Sequence, residues 1–368
     1  MPTVFFAFRD APERRAALRA PESLDRYRLF GLDDVERRGV AVRHNLERAG
    51  PPPLWARTLD RTINAALYRA GGYGGDFASV LASLRRANTA DVVFSTVDTV
   101  GIPLMLLKRA GALRPPLVYT AVGLPERLVQ LRSDFARRLY AAALRRTHAI
   151  VAYSAVEADR LREWLGPGGP PVVFVPFGVD VDAFRQPDGA LPDVDVVSIG
   201  ADPRRDFELL TTVASRNPDL SFRVVTTVDR ARSLRPVPPN VALEAGLPLE
   251  EVRARLAAAR VVALPVRENT YSGATTVLLQ AMAMAKPVVV SRTDAIGRGY
   301  RLEDGVNCRL VAPGDIDAFE RALLETVAGA AAAVSLGRRA RETVERCFSW
   351  ERYTDALWEI LAPLVSAP

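Results

Sequence analysis

Short apolar runs rich in Val, Ile and Phe recur along the chain and alternate with longer stretches whose apolar positions repeat at helical spacing. The pattern predicts strands near 3–8, 91–95, 116–121, 148–153 and 172–175, with helices at about 57–70, 76–87, 100–110, 126–145 and 155–165. A polar, proline-bearing stretch, Gln186-Pro-Asp-Gly-Ala-Leu-Pro192, then reads as a link. Beyond it a second series begins, with strands near 194–199, 221–226, 241–243, 261–265 and 287–291 and helices at about 204–215, 249–258 and 274–285. Strand–helix alternation is the signature of a parallel sheet covered on both faces. Its occurrence twice predicts an α/β protein of two doubly wound, Rossmann-like domains, residues 1–185 and 186–348, facing each other across a cleft.

Length agrees with that division, because 368 residues exceed one ordinary domain and suggest two cores of about 170 residues. No apolar run approaches the ~20 residues that cross a bilayer, and the first residues lack the charged start, apolar core and cleavage site of a signal peptide. A cytoplasmic location is expected. Cys308 and Cys347 give neither a disulfide framework nor zinc spacing, which fits a reducing compartment.

The formal net charge of +6 raises the question of nucleic acid, but the basic residues are almost all Arg, with Lys108 and Lys286 the two lysines. They are scattered along amphipathic helices without an aromatic-interleaved basic block, so no nucleic-acid partner is expected. Residues 125–146 form a helical pattern carrying Arg127, Arg132, Arg137, Arg138, Arg145 and Arg146. This helix suits either a solvated face or a peripheral contact with anionic lipid, which would place the protein at the inner face of the membrane.

The chemistry concentrates in Tyr271-Ser-Gly-Ala-Thr-Thr-Val-Leu-Leu-Gln-Ala-Met-Ala-Met-Ala-Lys-Pro-Val-Val-Val290, a polar loop, a helix and a strand. Ala274, Val277, Leu278, Ala281 and Met282 repeat at helical spacing, so Ser272-Gly273 falls where the first turn leaves amide N–H groups unpaired. Those amides and the helix dipole attract a phosphate. Thr275 and Thr276 add hydroxyl donors, and Gln280 lies near the face of Thr276, within reach of a ribose hydroxyl. An ordinary buried helix with a Ser cap is the plainer alternative.

The block resembles the donor site of family 4-like glycosyltransferases (group 1) of the GT-B fold, where a Glu-x7-Glu pair brackets a glycine-containing loop before an Ala-Met-Ala helix and a Lys-Pro-Val strand. Further stretches fit in order: Ala149-Ile-Val-Ala-Tyr-Ser154, Val175-Pro-Phe-Gly-Val-Asp180, Ser198-Ile-Gly-Ala-Asp-Pro-Arg-Arg-Asp206, Asp304-Gly305 and Pro313-Gly314-Asp315. The resemblance covers roughly residues 90 to 360. It implies transfer of a sugar from a nucleoside diphosphate sugar, with retention of anomeric configuration, to a small-molecule, glycan or lipid-linked acceptor. It further implies a last helix, about 349–368, that crosses back to complete the first domain.

Gly200 would allow close backbone approach after the strand at 194–199, and Arg204 and Arg205 could clamp a diphosphate. The family places an Arg and a Lys in this loop. Here Ala201 stands at the Arg position and Arg205 matches the Lys, which makes Arg205 the first candidate and Arg204 the second. The bracketing glutamates align with Ser272 and Gln280, so neither carboxylate is present. Thr226 and Gly246 fall where they would flank the base, and Glu268 where it would hold sugar hydroxyls. The donor set is therefore Gly200, Arg204, Arg205, Thr226, Gly246, Ser272, Gly273, Ala274, Thr275, Thr276 and Gln280, with Arg205, Ser272 and Glu268 as candidates for catalysis.

On the acceptor side, Asp98 follows one predicted strand, while Thr120 and Gly123 follow the next, where family members often carry a His and this chain has Ala121-Val122. His44 and His148 are the two histidines, which argues against a Ser-His-Asp triad or a histidine metal cluster. Gly71-Gly-Tyr-Gly-Gly75 follows a helical pattern rather than a strand and is no dinucleotide fingerprint. Neither Asp180-Val-Asp182 nor Asp193-Val-Asp195 has the context of a metal pair, so no metal and no cofactor beyond the co-substrate is expected. A degenerate binding protein without turnover is the main alternative, and an epimerase or hydrolase the third.

Overall fold

A computed structural model describes residues 1–19, 24–48, 50–187, 189, 191–271 and 273–365. The chain forms two compact units, residues 1–175 with 354–368, and residues 176–353.

The first unit is built on β1 (Thr3–Ala7), β2 (Ala41–His44), β3 (Val92–Ser95), β4 (Leu117–Ala121), β5 (Ala149–Ala152) and β6 (Val172–Phe174). They form one sheet in the order β2-β1-β3-β4-β5-β6, every pair parallel. β1, β3, β4 and β5 are buried almost throughout, as apolar strands with helices on both faces must be. The core on one face joins Phe5, Val93, Tyr119 and Ile150 of the sheet to Met105, Tyr140, Leu144 and Leu161 of the covering helices.

The second unit contains β7 (Val194–Ile199), β8 (Phe222–Thr226), β9 (Val241–Ala245), β10 (Ala259–Leu264), β11 (Val288–Ser291) and β12 (Arg309–Val311). Read from one edge the order is β9-β8-β7-β10-β11-β12, again all parallel. This is the doubly wound order whose direction reverses between β7 and β10, and ligands of such sheets sit beyond the carboxyl ends of the strands at that reversal. Phe207, Val224, Val261, Val289, Phe319 and Leu323 belong to the core beneath.

Several elements depart from the sequence reading. The helix expected over 126–145 is two, Leu124–Val129 and Asp134–Leu144, because Ser133 caps the second through the amide of Ala136. β2, β12 and the helices Ile316–Ala328 and Ala330–Cys347 complete the units. Residues 176–185, read as the end of the first domain, pack with the second. Arg341 Nη1 donates to the carbonyls of Val181 (2.8 Å) and Phe184 (3.2 Å), and Arg253 Nη1 to that of Ala183 (3.0 Å). The helix Trp350–Leu361 begins in the second unit, but from Thr354 onward it packs with the first, where Thr354 Cγ2 lies 3.2 Å from the place of a Cβ on Gly31. Of the link, Asp188 and Ala190 lie outside the described residues.

The arginines of 125–146 are partly tied to the protein. Arg132 stacks over Tyr68, Arg127 over Tyr73, and Arg145 Nη2 donates to the carbonyl of Leu165 (2.5 Å). His148, read as the start of a buried strand, is exposed one residue before β5. The Gly71–Gly75 stretch serves packing: a Cβ on Gly75 would stand 2.3 Å from the carbonyl oxygen of Thr99. Asp180 Oδ1 accepts from the amides of Asp182 and Ala183, while Asp193 and Asp195 pair with Arg223 and Arg260. Among the described residues, no group of three or more His, Cys, Asp or Glu is placed to hold a metal ion.

Candidate functional site

At the reversal point of the second unit, the loops after β7 and β10 are joined by backbone hydrogen bonds. Arg267 N donates to Arg204 O (2.8 Å) and Asp206 N to Pro265 O (2.9 Å), and Tyr271 Oη reaches Asp202 Oδ1 (2.9 Å). Gly200 continues β7 by donating to Val225 O (3.0 Å), Thr226 Oγ1 donates to Gly200 O (2.7 Å), and Gly246 N donates to Thr226 O (3.1 Å). Gly200, Thr226 and Gly246 thus form one layer at the ends of β7, β8 and β9.

Arg205 lies within this layer and is fully buried. Its Nη2 donates to Ser198 Oγ (3.2 Å) and Ile199 O (2.6 Å), and its plane stands over Phe207, whose ring also carries Arg230. Nε and Nη1 have no hydrogen-bond partner among the described residues. Burial strips the guanidinium of water and lowers its pKa to about 9, with Asp202 opposing and Arg230 adding to the effect. Arg205 therefore remains charged at neutral pH, a buried cation with two unused donor groups. Unpaired buried charge is costly, and an anion would relieve that cost if the chain over Nε and Nη1 moved to admit it.

The helix Thr275–Ala283 opens beside this loop system, with Ala274 at its N-cap at φ +68°, a left-handed conformation unusual for alanine. Such local strain persists where surroundings enforce it, often at ligand sites. Gly273 N donates to Tyr271 O (2.8 Å), Thr275 is buried and Thr276 half-buried, and Gln280 is buried at 3% exposure. The helix is apolar nearly all round, which leaves Gln280 the polar side chain of its buried middle. Ser272 lies outside the described residues.

Glu268 and Arg204 are both exposed. Glu268 Oε1 accepts from the amides of Asn269 (3.1 Å) and Asp294 (3.0 Å), holding the start of the helix Asp294–Gly297. Sequence reasoning missed Arg230 and Asn269. Arg230 donates to the carbonyls of Pro203 (3.2 Å) and Arg205, and buried Asn269 leaves its Oδ1 without a hydrogen-bond partner among the described residues. The sequence reading reaches the loop after β8 through Thr226, four residues short of Arg230.

In the first unit, Asp98, Thr120 and Gly123 gather at the ends of β3 and β4 with a residue the sequence did not suggest, Glu157. Asp98 is buried as the first residue of the helix Asp98–Arg109, whose N-cap is Val97. Its Oδ1 accepts from Tyr119 Oη (2.7 Å) and Val122 N (3.3 Å), and Arg127 Nε stands 3.8 Å from Oδ2. Burial raises the Asp98 carboxyl to about 6, although Tyr119 and Arg127 oppose that rise. Glu157 Oε1 accepts from Gly123 N (2.7 Å) and Leu124 N (3.1 Å), while Oε2 has no hydrogen-bond partner among the described residues. Burial first, and the charge of Asp98 second, push Glu157 up to about 8. Thr120 is buried, its hydroxyl likewise without a hydrogen-bond partner among the described residues.

Ser154-x-x-Glu157 has the spacing of a helix capping box. Ser154 does cap the helix Ala155–Leu165 through Glu157 N (3.3 Å), yet the glutamate side chain is used on the neighbouring loop instead.

The family model described as Glycosyltransferase Family 4 matches residues 36–183, and that described as Glycosyl transferases group 1 matches 206–328. The chain belongs to the family 4-like glycosyltransferases of the GT-B fold. It is 27% identical over 187 residues to an MMP alpha-(1->4)-mannosyltransferase of Mycolicibacterium hassiacum, covering 48% of this chain and 44% of the relative. It is 33% identical over 97 residues to the lipopolysaccharide core biosynthesis glycosyltransferase LpsE of Rhizobium meliloti, covering 26% and 28%. The matches thus span less than half of either curated relative. A sucrose-phosphate synthase of Thermosynechococcus elongatus has a similar fold, with TM-score 0.75 at 17% identity, covering 99% of both chains. Anabaena HepE in complex with UDP-glucose gives TM-score 0.72 at 15% identity over 98% of this chain and 99% of that one. The expected α/β GT-B class is borne out by both sheets and by these neighbours.

Proposed function

We propose that this family member transfers a sugar from a nucleoside diphosphate sugar to an acceptor nucleophile with retention of configuration. The observation that carries the reading is Arg205, a buried guanidinium with Nε and Nη1 unpartnered among the described residues, at the sheet's reversal point and close in the loop system to a helix N-terminus. A diphosphate would supply the missing acceptors once a shift of the loop after β7 uncovers Nε and Nη1, which are closed off in this conformation, and the same contacts would stabilise it as leaving group. Anabaena HepE, solved with UDP and with UDP-glucose, shares the fold, which supports a nucleotide sugar as donor. In this reading Gly200, Gly273 and the amides of Ala274 to Thr276 approach the phosphates, Gln280 meets ribose, Thr226 and Gly246 flank the base, and Arg204 and Glu268 stand at the rim. Ser272, next to Gly273 in the sequence, is part of the same reading.

The acceptor side uses Asp98, Thr120 and Gly123, with Glu157 fixing the loop at Gly123. Location in the cytoplasm with a peripheral membrane contact is part of the reading, supported by Val129 and Phe135, exposed at 77% and 64%, close to Arg137 and Arg138. No described helix is long and apolar enough to cross a membrane. Because Arg and amides meet the diphosphate charge, turnover requires no divalent cation, and chelation should leave the initial rate unchanged.

The decisive experiment titrates the chain with UDP, GDP and ADP. It then follows the matching nucleotide sugar by NMR for donor hydrolysis and product anomer. Binding with no turnover or hydrolysis would favour the second reading, a degenerate binding protein, which Ser272 and Gln280 at the two glutamate positions motivate. Absence of binding to all three would count against the transfer reading and favour a degenerate protein that binds a partner instead.

A further inference from the structure

At the carboxyl ends of β1 and β2, within the first unit, lies a cavity of about 290 Å³ lined by Arg15, Arg48, Arg57, Arg61 and three aspartates among others. The acidic groups are already engaged. Asp10 is gripped at two points by Arg15 Nε (2.7 Å) and Nη2 (2.9 Å). Asp60 Oδ1 accepts from Phe77 N (2.9 Å), Ala78 N (3.3 Å) and Asn64 Nδ2 (3.0 Å), and Asp76 Oδ1 caps the next helix through Ser79 N (2.9 Å). The wall is rigid as well. Buried Asn45 accepts from Phe8 N (2.8 Å) and donates to Phe8 O (2.8 Å) and Ser79 Oγ (2.8 Å).

The basic groups are differently placed. Arg57 and Arg61 lie one turn apart on the helix Leu54–Arg69 and form no ion pair among the described residues. Arg48 makes one backbone contact, Nε to Pro51 O at 3.4 Å. With Arg15 paired to Asp10, three guanidinium groups remain against two carboxylates, Asp60 and Asp76, whose bonds go to neutral N–H groups, so the lining keeps an excess of one positive charge and several fork-shaped donors of the kind that bind phosphate oxygens. Ligand sites begin near 300 Å³, so this volume admits a phosphate with a few attached atoms rather than a whole nucleotide sugar.

We propose that this cavity binds the phosphate group of a phosphorylated acceptor. The inference rests on the sugar-transfer reading and names the acceptor class for it. The phosphate belongs either to a free metabolite or to a lipid headgroup.

The test compares the full chain with an Arg57→Gln, Arg61→Gln double variant, both exposed positions, after matching their thermal melts. Calorimetry with sn-glycerol 3-phosphate and with glycerol forms one arm, and flotation with phosphatidylglycerol against phosphatidylcholine vesicles the other. Titration with whichever of UDP, GDP and ADP binds serves as the internal reference. The expected result is phosphate-dependent binding that falls at least tenfold in the variant while affinity for that nucleotide stays constant. A fall in the soluble arm assigns a free phosphorylated acceptor, and a fall confined to the vesicles assigns a headgroup. Equal binding of glycerol and its phosphate together with equal flotation, or a variant indistinguishable from wild type in both arms, overturns the proposal. Failure of wild type to bind UDP, GDP and ADP alike would instead count against the transfer reading and leave the phosphate comparison readable.

Discussion

Gly200 and Arg205 occupy one space between them: a Cβ on Gly200 would stand 2.7 Å from Arg205 Nε and 3.1 Å from its Cγ and Cδ. The glycine is what lets the guanidinium lie against the end of β7. Gly200→Ala should shift that group and weaken nucleoside diphosphate binding by about 1 kcal/mol, the scale of one hydrogen bond. Calorimetry checks it, and affinity equal to wild type would show that the position of the guanidinium is immaterial to the ligand.

Arg205→Met separates binding from stability. A charge-assisted hydrogen bond contributes ~1.5–3 kcal/mol, so diphosphate affinity should fall roughly ten- to hundredfold. Replacing a buried, unpaired cation with an apolar chain of similar length is often neutral or stabilising, and the melting temperature should hold or rise. A large drop in melting temperature with unchanged affinity would make Arg205 a purely structural donor to Ser198 and Ile199.

Glu157 makes stability depend on pH. Its carboxyl is raised from 4.5 to about 8, so between those values the folded protein holds a proton that the unfolded chain releases. Stability contributed by this group is full below pH 4.5 and is lost as pH rises through about 8, with a slope of at most ~1.4 kcal/mol per pH unit. Glu157→Gln keeps an acceptor for Gly123 N and Leu124 N and should flatten that part of the melting profile between pH 5 and 8. An identical slope in the variant would place the titration elsewhere.

Gln280 distinguishes a working donor site from an incidental helix residue. If its amide meets ribose, Gln280→Ala should cost ~1 kcal/mol of nucleotide affinity, and Gln280→Glu should be tolerated, its buried carboxyl staying protonated near neutral pH. Titrations of wild type and both variants against the nucleotide that binds provide the measurement. The same constant for all three would remove Gln280 from the site.

Much of the second unit was legible because its strands are apolar on both faces. Val194–Ile199 was read to the residue, and β8, β10 and β11 to within two. β2 escaped because Ala-Val-Arg-His is short and only half-buried, and β12 because its three residues begin with Arg309. Of the candidate site, the placement of Gly200 and Arg205 at the end of β7 was visible from the rule about strand ends, together with the family pattern. The use of Glu157 was hidden because its partners, Gly123 and Leu124, are more than thirty positions away and no local spacing encodes that pairing. The full burial of Arg205 was hidden too, since a sequence of adjacent arginines resembles an exposed face.

The bonds from Arg267 to Arg204 and from Asp206 to Pro265 turn two loops some sixty residues apart into a single clasp. Lengthening either strand of that clasp would throw the other out of register, so grafted or inserted loops are a poor route to a new donor. Altered selectivity is better sought by exchanging the side chains it displays, Asp202, Arg204 and Tyr271, with the clasp left intact.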